Sequence, residues 1–419
     1  MRLTIGIIAH VDSGKTTLSE ALLFETGVIR RFGRVDKGES FFDGDPLERS
    51  RGITIFSKQA EFSYEGTDFT LLDTPGHSDF TAEMERTLQV LDCAILLISA
   101  ADGIKGQTKI LWRLLEEYRL PVFVFFNKMD RPGTDKESAV RDFHEQLSAN
   151  AVNFSGEKSE EFFDHIAMCD EECMEEFLET GRISDGSIRE LIFKRRLFPC
   201  FFGSALRQKG IKELLKGLSE YAKEPARPGE FGARVFKIAR DPSGARLTFL
   251  KVTGGTLKNK ALLPDGEDKS KINQLRIYNG AKFTQVNEAF AGQIVAAEGL
   301  KESFAGQGYG IEEGSNLPVI MPVKEYWVAF PNGEDPLKAL ERFRVLEEEI
   351  PEISVGWDEL WKEISISVMG ELQLQVITAL LKERFGLEAE FAETPPEHVI
   401  DEGLFEWVEE PEEAEEEEI

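Results

Sequence analysis

The sequence predicts a multidomain protein: an α/β domain with a doubly wound sheet, then an all-β module, then an α+β unit. Three observations predict it. Short, continuous apolar runs alternate with helical patterns through the first half of the chain. The segment KEPARPGEFG, Lys223 to Gly232, then breaks the alternation with two prolines and two glycines. After it the apolar period is that of strands, until a second shift near PVIMPVKEYW brings helices back.

In the first part LTIGIIA, FTLLD, CAILLIS, PVFVFFN and FPCFFGS are apolar throughout, as parallel strands covered on both faces require. KQAEFSY and FTLLD around EGTD read as a hairpin, which places an antiparallel strand at the sheet edge. KTTLSEALLFETG is a helix closing on Gly27, and TKILWRLLEEYRL sets Ile110, Leu111, Leu114, Leu115 and Tyr118 on one helical stripe. ARVFKIA and RLTFLKV flank the turn RDPSG, and INQLRIYNGAKFTQV and GQIVAAEGL follow, which predicts a small β-barrel. In the last part Ile364, Ile366 and Val368 alternate as in a half-buried strand, while Leu340, Phe343 and Leu346 keep helical spacing. The order β-α-β-β-α-β predicts a ferredoxin-like fold. The expected domains are 1–226, 227–322 and 323–392, with an acidic, disordered tail over 393–419.

Composition narrows the function classes. The 419 residues are 41% hydrophobic and 30% charged, and no apolar run reaches the roughly 18 residues of a membrane span. The opening MRLTIGIIAH reads as a first strand and not as a signal peptide. Four cysteines make no disulfide framework, so a cytoplasmic location is expected. Cys169 and Cys173 share a helix face, but with no second Cys/His pair beside them a metal site there is not expected. Net charge is −28, with eleven acids and no base between Asp401 and Ile419. That sign gives no support for sequence-specific DNA binding, and any RNA contact would need local basic patches. A monomer is expected.

The chemistry sits in five short segments. AHVDSGKTT, Ala9 to Thr17, joins the first strand to the first helix, with Ala9 where a phosphate loop usually has glycine. The N–H groups of Asp12, Ser13, Gly14 and the helix start with Lys15, Thr16 and Thr17 would cradle phosphate oxygens. Lys15 would neutralise their charge, and the Thr16 hydroxyl would ligate Mg²⁺. In RGITI, Thr54 offers a second metal-reaching hydroxyl. In DTPGH, Asp73 reaches Mg²⁺, and the Gly76 N–H meets a γ-phosphate. In NKMD, after the strand VFVFF, the Asp130 carboxylate can accept from both the ring N–H and the exocyclic amine of guanine, while the Lys128 stem can lie on the base and Asn127 is expected to bind the nucleotide with them. In GSALRQKG, the backbone of Ser204 and Ala205, followed by Leu206, can touch the guanine oxygen. Each segment lies at the carboxyl end of a strand, where open α/β sheets bind ligands. Together they predict a phosphate-loop GTPase using GTP, GDP and Mg²⁺. His77 remains open: a turn needs glycine and proline but no imidazole, so the ring either acts on chemistry or caps its loop.

These segments together resemble the translational GTPases, the class of elongation factor G. LERSRGITI, VLDCAILLISAADG and ARVFKIARDPSGARLTF are similar to the tetracycline-resistance ribosomal protection branch, as is the short interval from Asp130 to Gly203. The resemblance runs to about residue 392. MGELQLQV resembles the elongation factor's GELHLE, departing from it at Gln373 and Gln375. The likeness implies a ribosome-associated GTPase in which His77 positions the attacking water beside an apolar gate of Val11 and Ile53. Relatives continue through two further domains. This chain is therefore expected to stop after its third, and neither to move tRNA nor to rescue translation from tetracycline. The alternative is a GTP-dependent switch whose Thr54 and Gly76 segments are read by a protein partner.

Overall fold

The computed structural model describes residues 1–33, 41–42, 46–51, 53–315 and 320–394, so the acidic tail expected after Ala392 falls almost wholly outside the described residues. Seven strands form the first sheet, in the order Lys58–Tyr64, Thr67–Asp73, Arg2–Ala9, Cys93–Ser99, Val122–Asn127, Phe198–Phe202 and Ala151–Asn153. All neighbours are parallel except the first pair, the expected hairpin at the edge. Ala151–Asn153 has too few residues to show a period, so its sequence does not announce a strand. The apolar runs are buried end to end, since helices cover both faces of the sheet. One side chain of the expected helical stripe turns outward. Ile110 is half exposed, and Trp112 fills the core beside Leu111 and Leu115 instead, edge-on to Phe143 and Phe198.

The second part is a six-stranded antiparallel sheet, with two separate two-stranded ribbons beside it. It joins the first part through buried polar contacts. Lys251 Nζ donates to Asp92 Oδ1 at 2.6 Å and to the Val90 carbonyl at 2.8 Å, and the other Asp92 oxygen accepts from the Thr4 N–H at 2.8 Å. Burial pulls the Lys251 ammonium below its ordinary pKa, against the opposing pull of Asp92. The turn at Gly280 donates its N–H to the Gln59 carbonyl on the edge strand, at 2.8 Å.

The third part runs Lys324–Ala329, helix Pro336–Glu349, Gly356–Asp358, Glu363–Val368, helix Glu371–Phe385 and Glu390–Ala392. Its strands lie side by side in the order Gly356–Asp358, Glu363–Val368, Lys324–Ala329, Glu390–Ala392, as in a split βαβ sheet, with every pair antiparallel. Ile364, Ile366 and Val368 point into its core as their alternation predicts. Leu47, Ile55 and Phe80, which belong to the first part, are buried in that same core.

One helix binds all three parts. Thr81–Leu88 is buried at every residue, although its sequence TAEMERTL is mostly polar. Arg86 pairs with Glu83 at 2.8 Å and with Glu352 of the third part. Lys237 of the second part lies 3.3 Å from Glu83, and the Glu85 carboxylate accepts from Tyr118 Oη and the Ile320 N–H. Desolvated charges are tolerable only when paired in this way.

Candidate functional site

A cleft of about 470 Å³ opens at the carboxyl edge of the first sheet. Of the residues singled out from sequence, Asp12, Gly14, Lys15, Thr16, Thr17, Thr54, Gly76, His77, Asn127, Lys128, Asp130, Ser204 and Leu206 line it. Ser13, Asp73 and Ala205 are buried just behind its wall. Four of the five segments meet here because each leaves the end of a strand or enters the helix after one, while the Thr54 segment precedes Lys58–Tyr64, whose antiparallel start lies opposite Asp73 at the same edge.

At one end Asp73 lies behind the floor. Its carboxylate lies 3.2 Å from Lys15 Nζ, accepts from the Ser19 hydroxyl at 3.0 Å, and stands 3.5 Å from the Thr54 hydroxyl. The Thr16 and Thr54 hydroxyls are 3.4 Å apart, and Lys15 Nζ is 3.4 Å from Thr54. Ser19 belongs to no motif in the sequence, though its position four residues after Lys15 puts it on the same helix face. Among the described residues no cluster of three or more His, Cys, Asp or Glu surrounds a metal position. The three hard oxygen donors Thr16, Thr54 and Asp73 nevertheless converge, as a small divalent cation also held by phosphate would require.

At the other end Asp130 is about one-third exposed. A hydrogen bond from the Ser204 hydroxyl, aided by Arg207 and Arg131, holds its carboxyl below the usual range, so it is an ionised acceptor at neutral pH. Asn127 lines the cleft and also ties its loops together. Its Nδ2 donates to the Ser13 carbonyl at 2.8 Å and its Oδ1 accepts from the Ala205 N–H at 2.9 Å, so it clips three loops together. The Ala205 N–H is thereby engaged, and the Ser204 N–H donates to the Lys209 carbonyl at 3.0 Å. Both N–H groups thus have acceptors within the protein. The clip also explains Gly14, at φ +94°, where a Cβ would sit 2.6 Å from Asn127 Nδ2.

Between the two ends lies the Gly76–His77 turn. Gly76 has no positive φ, and a Cβ there would make only ordinary contacts, so this state of the loop does not itself demand glycine. Gln107 Nε2 donates to the Gly76 carbonyl at 3.0 Å. His77 does cap its turn: Nδ1 accepts from the Asp79 N–H at 3.2 Å, at the start of the short helix Ser78–Phe80. Val11 and Ile53 line the cleft with it. His10, a second imidazole and the second residue of the phosphate-loop segment, lines the cleft beside Val11. Burial and then Lys105 lower its pKa, so its imidazole is neutral at pH 7. The Thr54 segment is held from behind by Glu48, which accepts from the Ile55 and Phe56 N–H groups at 2.9 and 3.1 Å and pairs with Lys58.

The chain is similar to known proteins over most of its length. Residues 1–224 match the elongation factor Tu GTP binding domain family, and residues 230–308 match elongation factor G domain 2. The chain is 32% identical over 413 residues to tetracycline resistance protein TetO of Streptococcus mutans, and 32% identical over 417 residues to tetracycline resistance protein TetM of Ureaplasma urealyticum. Each alignment covers 93% of this chain and 64% of the relative, so the chain spans just under two thirds of their length. A crystal structure of a Thermus thermophilus protein superposes with a TM-score of 0.82 at 25% identity, covering 93% of this chain and 67% of that one.

Proposed function

The chain belongs to the elongation factor Tu GTP binding domain family, and from that premise we propose that it is a translational GTPase of the elongation factor G and ribosomal protection type, which binds GTP and GDP and hydrolyses GTP when engaged with the ribosome. The observation that carries this reading is the pairing of two ends in one cleft. Lys15, Asp73 and two hydroxyls gather where phosphates would lie, and an ionised Asp130 stands where a base would. In this reading Asp12, Ser13, Gly14, Lys15, Thr16 and Thr17 hold phosphates. Lys128, Asp130 and the Ser204–Leu206 loop hold guanine, and Asn127 keeps these loops in register. Thr16, Thr54 and Asp73 would hold Mg²⁺, which supplies charge neutralisation at the phosphates when bound. Gly76 meets the γ-phosphate, and His77 orients the attacking water between Val11 and Ile53.

Units 1–226, 227–322 and 323–392 are the domains of this reading, and the protein acts as a cytoplasmic monomer. No helix among the described residues is long and apolar enough to cross a membrane. The test is GTP turnover by the purified chain with and without ribosomes. Stimulation by ribosomes supports the proposal, and a rate indifferent to them refutes the ribosomal part.

A further inference from the structure

The turn after His77 reaches into the third part of the molecule. The helix Glu371–Phe385 starts after Gly370, which has no side chain to cap it, and its first N–H groups need acceptors. The Leu372 N–H finds one on Asp79, donating to Oδ2 at 2.9 Å. Gly370 leaves the space for this contact, since a Cβ there would lie 2.3–2.6 Å from the Asp79 carboxyl atoms. The other Asp79 oxygen stands 3.3 Å from His77 Nδ1 and accepts from the Ser78 hydroxyl at 3.3 Å. Phe80, the next residue, is buried in the core of the third part. With Nδ1 engaged by the Asp79 N–H at 3.2 Å, that ring nitrogen is not free to take a proton from a water.

We propose that Asp79 is a positioning residue: it caps the Glu371–Phe385 helix in trans and so holds His77 in its capped rotamer for as long as that helix stays docked. This rests on the reading of His77 as the group that orients water. Movement of the third part must break the Asp79–Leu372 contact, and the turn is then free to present the ring differently. Docking is therefore a restraint on basal hydrolysis.

The experiment uses the full chain. In Asp79→Ala the restraint is gone, so basal kcat for GTP should rise at least threefold with KM within twofold, and the Leu372 amide should exchange its hydrogen faster. In Asp79→Ala/Gly370→Ser the new serine caps the helix itself. Melting temperature and Leu372 protection should recover while kcat stays raised. A kcat that is unchanged or lower in Asp79→Ala, or one that returns to the starting value in the double variant, would show a structural cap only and overturn the proposal. Undiminished protection of Leu372 in Asp79→Ala would overturn it as well, without touching the role of His77. Ribosome-stimulated hydrolysis that survives His77→Ala would instead overturn the underlying reading of the histidine, and the coupling with it.

Discussion

At the scale of single residues, Asp130 and His77 make opposite demands on a binding assay. Asp130 is an ionised acceptor at the cleft mouth, so Asp130→Asn replaces the carboxylate that, in the proposed reading, accepts two guanine N–H groups with an amide that suits xanthine. GTP affinity should fall by about 2–3 kcal/mol, with preference moving to xanthosine triphosphate. Competition binding with the two nucleotides measures this, and unchanged GTP affinity removes Asp130 from the base site. His77→Ala should leave GTP affinity nearly intact and slow ribosome-stimulated turnover by a factor on the order of 100 or more, because a water-orienting group acts in the transition state. Rapid turnover in that variant would leave only the capping bond to the Asp79 N–H as the histidine's task. Most of these residues were legible in the sequence because each stands at the end of an apolar run, where a loop has one place to go. The use of Asn127 was not. Its two partners, Ser13 and Ala205, are 114 and 78 residues away, and only the folded sheet brings them together.

At the scale of elements, the Thr81–Leu88 helix is the least legible part of the fold. Read alone, TAEMERTL is a polar surface helix. Its burial depends on Lys237 and Glu352, which lie far along the chain and neutralise Glu83 and Arg86. Burial pushes the Glu83 carboxyl up, but Lys237, Arg86 and the Ser57 hydroxyl outweigh it and hold the group down to about 2. A carboxyl depressed on folding stabilises above its unfolded value. That contribution is present above pH about 4.5 and is lost as pH falls toward 2. Glu83→Gln leaves Lys237 and Arg86 short of a buried partner and should cost about 3 kcal/mol at pH 7. Urea unfolding at pH 7 and near pH 3 should show the difference between the two proteins shrinking in acid, and a constant difference would contradict the argument. The two ribbons of the second part were equally hard to foresee, since strands of three or four residues show no period. The third part was easier to read, because Lys324–Ala329, Glu363–Val368 and its two helices are long enough for alternation and helical spacing to be seen.

At the scale of the whole molecule, the parts share cores. Leu47 and Ile55 flank the Thr54 segment and Phe80 follows the His77 turn, yet all three are buried with Phe343, Ile364 and Val376. The back of the nucleotide cleft is thus the core of another unit. Calorimetry of the chain should give one cooperative transition, and Phe80→Ala should destabilise it by about 3 kcal/mol or more through the cavity it leaves. Two well-separated transitions in the unmodified protein would show the shared core to be energetically minor. The contact at Gly280 has a different consequence. Lys58–Tyr64 is an edge strand, and an uncovered edge is a template on which a second chain can add by backbone pairing. The hairpin turn occupies part of that edge, with the Gly280 N–H on the Gln59 carbonyl and Asn279 Oδ1 accepting from the Glu61 N–H at 3.4 Å. Only glycine suits the position, at φ +62° and with Phe41 ring atoms 2.7 Å from where a Cβ would stand. Gly280→Val should lift the turn away and expose the strand. Light scattering of the concentrated variant should then rise on standing at 37 °C while the parent solution stays clear, which makes one glycine in the second sheet a guard against self-association of the first.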